Sequence, residues 1–385
     1  MRILHTADLH LGRTFEGHSL DRDHAAILDQ ILSAIVTRKP DLLVIAGDIF
    51  DRAAPSEAAV RLFNGFIERV AHETETAIAV IAGNHDSPDR IGAMSMLADR
   101  RRAIVRGPLE ADERPLLLDD EHGTVAVSAL PFAYEFAARA CFEEPTIASP
   151  EAVLRAQMAS ARRHVPDGAR WIVIAHAFVA GAAGSDSERP LSRTAGGIET
   201  VATEVFDGAH YVALGHLHRP QAVGPPHIRY AGSPLAFGFD EEAGGKSMAL
   251  VELGGDGRID VETLPFAPLR QVRTLRGTLA EILQAPASDD FVRPVLTDTV
   301  RQIDPMKRIR ERLPNACGLV YERETAPTET RAARPSSAAM ANPAQLVAEF
   351  LSYTRGAEPT PAESEIVAAE LAALTTADEH REAAE

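Results

Sequence analysis

Five times in this chain a short run of aliphatic residues ends at a side chain able to hold a metal ion. Leu42-Leu43-Val44-Ile45-Ala46-Gly47 delivers Asp48. Arg2-Ile3-Leu4-His5 leads to Asp8 and His10, and the run 77–83 leads to Asn84 and His85. Trp171-Ile172-Val173-Ile174-Ala175 leads to His176, and Tyr211-Val212-Ala213-Leu214-Gly215 to His216 and His218. Runs of this length, rich in Val and Ile and bounded by Gly, read as buried strands. In open α/β sheets, sites form beyond the carboxyl ends of the strands. The repetition therefore predicts an α/β fold with every candidate ligand on one rim.

The intervening segments agree. Residues 21–37 carry a one-sided stripe of Ile27, Leu28, Ile31, Leu32, Ile35 and Val36, the signature of an amphipathic helix. Ser56 is placed to cap a second helix, with Val60, Phe63, Ile67 and Val70 on its apolar face. Strand–helix–strand alternation implies parallel pairing with helices over the sheet. Residues 90–99 and 151–163 read as further helices, and 116–118 and 125–127 as strands. The segments 228–230, 247–252 and 259–264 read as edge or second-sheet strands. The expectation over 1–267 is two packed mixed β-sheets flanked by helices. Pro265 and Pro268 suggest a boundary, after which 268–323 reads as a small α+β module. Residues 324–342, rich in Thr, Ala, Arg, Pro and Ser, read as a flexible linker. Asn342-Pro343 and the capping box Thr360-Pro361-Ala362-Glu363 then open two amphipathic helices within 343–376, followed by an acidic tail, 377–385. Helices this short, with little core of their own, need a partner surface.

At 385 residues the chain is too long for one ordinary core. The net charge of −17 argues against a general polyanion binder, although bound cations would neutralise several carboxylates. Two cysteines, Cys141 and Cys317, cannot build a disulfide framework, so buried inert thiols in a reducing, cytoplasmic setting are expected. No run is long and apolar enough for a membrane span, and Met1-Arg2-Ile3 enters the first strand directly, so no leader is expected.

Asp8 and His10 are two apart, as are His216 and His218. On extended backbone each pair would point one way, with Leu9 and Leu217 turned into packing. Asp48 can bridge two cations through its two oxygens, whereas a neutral imidazole has one lone pair. Asn84 adds a neutral carbonyl oxygen. His, carboxylate and amide donors without thiolate suit Mn²⁺, Fe or Zn²⁺ better than Ca²⁺.

The order Asp8-Leu9-His10, Gly47-Asp48-Ile49-Phe50-Asp51, Gly83-Asn84-His85-Asp86, His176, Gly215-His216-Leu217-His218 resembles the calcineurin-like metallophosphoesterase superfamily. The stretches ADLHLGR, GDIFDRAAPSE, AGNHDS, GHLHRPQ and YAGSPLAFGFDE are similar to the bacterial SbcD-type branch of the meiotic-recombination-eleven nuclease family. The resemblance is strong to about residue 265 and moderate to about 322. It implies the calcineurin-like fold and a phosphodiesterase with two divalent metal ions, Mn²⁺ foremost. Asp8, His10, Asp48 and His218 would hold one ion, and Asp48, Asn84, His176 and His216 the other. His85, next to a ligand, would serve the leaving oxygen or the phosphorane. Asp51 and Asp86 would orient imidazoles. Arg13, Arg52, Arg90 and the run Arg100, Arg101, Arg102 would meet phosphates near the site. The resemblance further implies DNA ends and hairpins as substrate, in repair, recombination and replication. The implied partner is an SbcC-type coiled-coil ATPase docked on the C-terminal helices, with 268–323 as a capping module. A homodimer within a heterotetramer, formed through the helices around 56–70 and 90–99, in the bacterial cytoplasm at the nucleoid, completes the expectation. Two other functions stand beside it: hydrolysis of small phosphoesters, and a non-catalytic tether of DNA ends.

Overall fold

A computed structural model describes residues 1–97, 99, 101–188, 200–322 and 343–382. The chain opens with β1 (Arg2–Thr6), a small hairpin β2 (Thr14–Phe15) and β3 (His18–Ser19), and α1 (Asp21–Arg38). It continues through β4 (Leu42–Ala46), α2 (Glu57–Glu73), β5 (Ala77–Ile81), α3 (Pro88–Ala93), β6 (Ala103–Arg106), β7 (Leu116–Asp120) and β8 (Gly123–Leu130). Then come α4 (Glu135–Phe142), α5 (Pro150–Arg162), β9 (Arg170–His176), β10 (Tyr211–Gly215), β11 (Gln221–Ala222), β12 (Ile228–Tyr230), β13 (Ser247–Leu253) and β14 (Ile259–Pro265).

These strands form two six-stranded sheets, ordered β14-β13-β1-β4-β5-β6 and β11-β12-β10-β9-β8-β7. In the first, β1, β4, β5 and β6 run parallel, and β13 and β14 are antiparallel. In the second, β8, β9, β10 and β12 run parallel, with β7 and β11 antiparallel. Both sheets are mixed, as expected from the sequence.

Strand period decides the layering. One set of alternate residues (Ile3, Leu42, Val44, Ala79 and Ile81) meets Val125, Val127, Ile172, Ile174 and Ala213 of the other sheet in a shared core. The opposite set, Leu4, Leu43, Ile45, Ile78 and Val80, packs beneath Ile27, Ile31 and Ile35 of α1 and Phe63, Phe66 and Val70 of α2. The second sheet turns Ala126, Trp171, Val173, Ala175 and Val212 to Leu154, Met158 and Ala161 of α5. Strands covered on both faces carry no polar alternation, which is why they appear as continuous apolar runs. Ser56 caps α2 through its side chain, accepting from the Ala59 N–H at 3.2 Å.

Details of the elements depart from the sequence reading. Val36 is 49% exposed and lies outside the α1 stripe. α4 went unread because its eight residues are too short for a clear period. Cys141 is half-buried, whereas Cys317 is buried as expected.

Beyond β14, a parallel three-stranded sheet of β15 (Val272–Gly277), β16 (Phe291–Leu296) and β17 (Val320–Tyr321) is joined by α6 (Leu279–Ile282) and α7 (Pro305–Arg310). Leu279, Ile282, Val292, Leu296, Ile309 and Leu313 give it a core. Val272, Phe291 and Cys317 reach into the outer core of the first large sheet, and Met1–Tyr321 is one compact unit. The second unit, Glu322–Glu385, holds α8 (Pro343–Arg355) and α9 (Pro361–Glu382). The Thr360 and Glu363 side chains cap α9 reciprocally. The expected linker 324–342, including the Asn342 cap, lies outside the described residues, as do residues 383–385; α9 runs on to Glu382, so 377–382 are helix and not the expected tail.

Candidate metal centre

The carboxyl ends of β1, β4, β5, β9 and β10 converge, and their exit loops are tied through backbone. Asp8 N–H donates to Gly47 C=O and His10 N–H to Asp48 C=O, both at 3.0 Å. His85 N–H donates to Asp48 Oδ1 and His216 N–H to Asp8 Oδ1, both at 2.9 Å. Glycine makes the approach possible. Gly47 has φ +89°, and a Cβ there would strike His176. A Cβ on Gly215 would strike the Ala46 carbonyl.

The loops are not extended. Asp8, His10, Asp48 and His216 have φ of 54°, 46°, 50° and 103°. The expected same-side projection of each i, i+2 pair along a strand is therefore wrong in its cause. The strands end first, and left-handed residues turn the side chains inward. Each such residue costs about 1–3 kcal/mol, a strain that surrounding structure must hold in place. Leu9 and Leu217 are buried in the apolar clusters, as expected.

All seven expected ligands come together. Asp48 Oδ2 lies 3.7 Å from His10 Nε2 and 3.6 Å from His176 Nε2. His10 Nε2 faces His218 Nε2 at 3.2 Å. Asn84 Oδ1 lies 2.9 Å from His176 Nε2 and 3.2 Å from His216 Nδ1. Asp8 offers an oxygen close to an oxygen of Asp48 and a ring nitrogen of His176.

The donor set fits a cation. His176 Nδ1 lies 2.9 Å from the Ala46 carbonyl, so Nδ1 carries the proton and Nε2 is an acceptor. That lone pair faces the oxygens of Asn84 and Asp48, an arrangement that positive charge reconciles. Burial lowers the His176 pKa to about 4, so the ring is neutral, as a ligand must be. Burial and neighbouring imidazoles also hold His10 and His216 neutral. Asp8 Oδ2 is buried without a hydrogen-bond partner among the described residues, and burial, with Asp48 beside it, pushes the Asp8 pKa well up. A divalent ion would supply the missing partner and reverse that penalty.

Comparison with known proteins gives the family. Residues 1–220 match the calcineurin-like phosphoesterase family, and 265–355 match the type 5 capsule protein repressor C-terminal domain. The chain is 31% identical over 326 residues to the SbcD component of the nuclease SbcCD of Staphylococcus saprophyticus, covering 84% of this chain and 85% of that protein. The chain belongs to the calcineurin-like phosphoesterases, in their SbcD group. Two solved structures also align, a dimetal phosphatase from Danio rerio (13% identity, 69% of this chain, 99% of that chain, TM-score 0.42) and GAP50 of Plasmodium (10%, 69%, 89%, 0.39).

As a calcineurin-like phosphoesterase, the protein is a metal-dependent hydrolase of phosphoester bonds. His85 sits at the edge of the cluster, its Nε2 4.0 Å from Asp48 Oδ2. Its Nδ1 donates to the Asp51 backbone carbonyl at 2.8 Å, which leaves the lone pair of the neutral ring on Nε2. Asp51 thus orients an imidazole, through its backbone. Its carboxylate lies 3.7 Å from His10 Nδ1. Asp86 does something other than expected. It accepts from the N–H groups of Ile49, Phe50 and Gly83 at 2.9–3.1 Å and braces the Asp48 loop, not a ring. Burial and the neighbouring Asp48 raise its pKa to about 7.

The basic residues divide. Arg13 lies over the Phe237 ring and donates to the Ser187 carbonyl at 3.2 Å, with Asp51 3.6 Å away. Arg52 is exposed, its Nε 3.6 Å from Asp51, and Arg90 is exposed on α3. Arg101 and Arg102 are not near the phosphoesterase site. They precede β6, which is parallel to β5, so they sit at the amino ends of the strands, on the opposite rim. Arg102 there donates to the Thr74 carbonyl. Arg100 lies outside the described residues.

The sequence reading missed the support of His218. Its Nδ1 lies 2.6 Å from Ser187 Oγ and 3.2 Å from Glu241 Oε1, and its N–H donates to Glu188 Oε1 at 2.7 Å. Lys246 is ion-paired to the other Glu241 oxygen. Burial alone would raise the Glu241 carboxyl, yet His218 and Lys246 hold it well below the ordinary range. Ser187 and Glu188 sit in the loop between His176 and His216, whose residues 189–199 lie outside the described set. Isolated polar residues in irregular segments carry no periodic signal. The Asp-Glu-Glu following Gly238-Phe239 was the available hint.

Proposed function

We propose that this protein is a Mn²⁺-dependent DNA nuclease that hydrolyses phosphodiester bonds at DNA ends and hairpins. The observation that carries the reading is the convergence of seven N and O donors, with lone pairs facing one another, around Asp48. The SbcD relative's name supports DNA as substrate and a second protein as partner.

Two divalent cations, when bound, supply Lewis acidity at the phosphate and lower the pKa of water. Asp8, His10, Asp48 and His218 would hold one, and Asp48, Asn84, His176 and His216 the other. The chain's residues do the rest. Ala46, Glu241 and Ser187 fix the tautomers of His176 and His218, so each ring presents its Nε2 lone pair. Asp86 keeps the Asp48 loop rigid. His85, held at Nδ1 by the Asp51 carbonyl, donates a proton from Nε2 to the leaving oxygen and returns to its neutral tautomer.

Residues 268–323 would then serve as a capping module on the DNA. The helices α8 and α9 would dock on an SbcC-type coiled-coil ATPase. Exposed Leu346 (40%), Phe350 (62%) and Ile366 (62%) support a partner for them. We place the complex, a homodimer within a heterotetramer, in the bacterial cytoplasm. The test is Mn²⁺-dependent hydrolysis of bis-p-nitrophenyl against mono-p-nitrophenyl phosphate, alongside a labelled DNA hairpin with and without the ATPase. Preference for the monoester, with the hairpin left intact, would refute the nuclease reading.

A further inference from the structure

The segment leaving β8 carries an aromatic series that the chemistry above does not use. Phe132 donates its N–H to the Ala82 carbonyl at 2.9 Å, which ties it to the strand that delivers Asn84. Its ring lies edge-on to His176, with centroids 6.4 Å apart. Tyr134 follows at 5.0 Å from Phe132, and Phe136 stacks on Tyr134 at 5.8 Å with 12° between the planes. Three short steps thus lead from a candidate ligand to the surface. Phe136 is 67% exposed there and Tyr134 39%.

We propose that Tyr134 and Phe136 form a stacking platform for an unpaired base of the strand whose phosphodiester occupies the metal centre. The inference rests on the nuclease reading above and names the part of the substrate this face takes. Several observations favour a base over other occupants. The platform is continuous with the site through Phe132 and His176, so a strand held there by its phosphate can reach it. Glu135 lies between the two rings in sequence and repels a phosphate, whereas the face of a base is uncharged. A chain with a net charge of −17 cannot hold a polyanion by cations everywhere, and base–aromatic stacking requires none.

The rings are also fixed in place. The Tyr134 carbonyl accepts from Ala137 and Ala138 at 3.0 and 3.1 Å at the start of α4, so the backbone beneath both rings is held. A centroid spacing of 5.8 Å is direct ring–ring contact, so the pair offers outer faces and not a slot between them. Duplex bases are already stacked on their neighbours. The platform therefore selects frayed ends, overhangs and hairpin loops, whose bases are free to leave the helix.

The test uses the full chain and an end-labelled single-stranded oligonucleotide in which one nucleotide at a time, near the cleavage point, lacks its base. For the wild type, one abasic position should lower kcat/KM by roughly tenfold or more. In the doubly substituted Tyr134→Ala, Phe136→Ala protein the abasic and normal substrates should become nearly equivalent. Phe136→Trp should keep the discrimination. Both residues are exposed, so the substitutions leave the core intact. Unchanged discrimination in the double variant, or none at any position in the wild type, overturns the platform while leaving nuclease activity standing. A wild-type protein that cleaves neither the oligonucleotide nor bis-p-nitrophenyl phosphate with Mn²⁺ overturns the nuclease reading and the platform together. Loss of ATPase association in the double variant, with base discrimination preserved, would assign this face to a protein and overturn the proposal.

Discussion

At the scale of single residues, the proposed mechanism separates metal binding from proton transfer. The expected ligands hold their lone pairs inward, whereas His85 stands beside them with one nitrogen anchored. His85→Asn should keep its metal and lose about 10²–10⁴-fold in turnover, the usual contribution of a positioned acid. Metal content and kcat measured on the same preparation check this, and wild-type turnover would remove His85 from the mechanism. Glu241 acts one residue further out. Glu241→Gln should weaken metal binding by about 10–100-fold, because a neutral amide holds the His218 tautomer poorly and leaves Lys246 without its counter-charge. A Mn²⁺ titration by calorimetry reads it directly, and an unchanged affinity would make the contact incidental.

At the scale of elements, the strands were legible and their ends were not. Leu42 to Ala46 and Ile172 to Ala175 are fully buried, so composition alone marked them as strands. The turn after each strand depends on left-handed φ at Asp8, His10, Asp48 and His216, which side-chain chemistry does not announce. Buried imidazoles within the elements set a pH dependence of stability. Burial lowers the pKa of His5 on β1 to about 3 and that of His24 on α1 to about 4, against 6.5 when unfolded. Both are therefore neutral in the folded state, and their contribution is complete above pH 6.5. It is lost as pH falls toward those folded values, because the unfolded chain binds protons that the folded chain does not. Each imidazole costs up to ~1.4 kcal/mol per pH unit in that window. Between pH 6.5 and 5, urea midpoints of chelator-treated wild-type protein should thus fall more steeply, or rise less, than those of His24→Leu, because the raised carboxyls of Asp8 and Asp86 act alike in both. Identical slopes in the two proteins would contradict this account.

At the scale of the whole molecule, the chain divides into Met1–Tyr321, which contains the site, and a second unit that contains α8 and α9. A protein ending at Tyr321 should still hydrolyse bis-p-nitrophenyl phosphate with Mn²⁺ and should lose association with the coiled-coil ATPase. Turnover and co-elution on a sizing column test the two halves separately. Retained association would move the partner contact into the first unit. The order of the ligands along the sequence was enough to reach the family. The opposite rim occupied by Arg101 and Arg102 was not visible, because a strand's direction, and not its sequence, decides which end a flanking residue joins.

By itself the sequence determined which runs become strands, that helices cover them, and which donors each strand delivers. Those are local properties, governed by burial and by the period of the backbone. Only the tertiary structure decided that Glu241, Ser187 and Glu188 stand behind His218, that Asp86 braces a loop, and that an aromatic series runs outward from His176. Those contacts join residues distant in sequence, and their geometry exists only once two sheets have packed and their carboxyl ends share one rim.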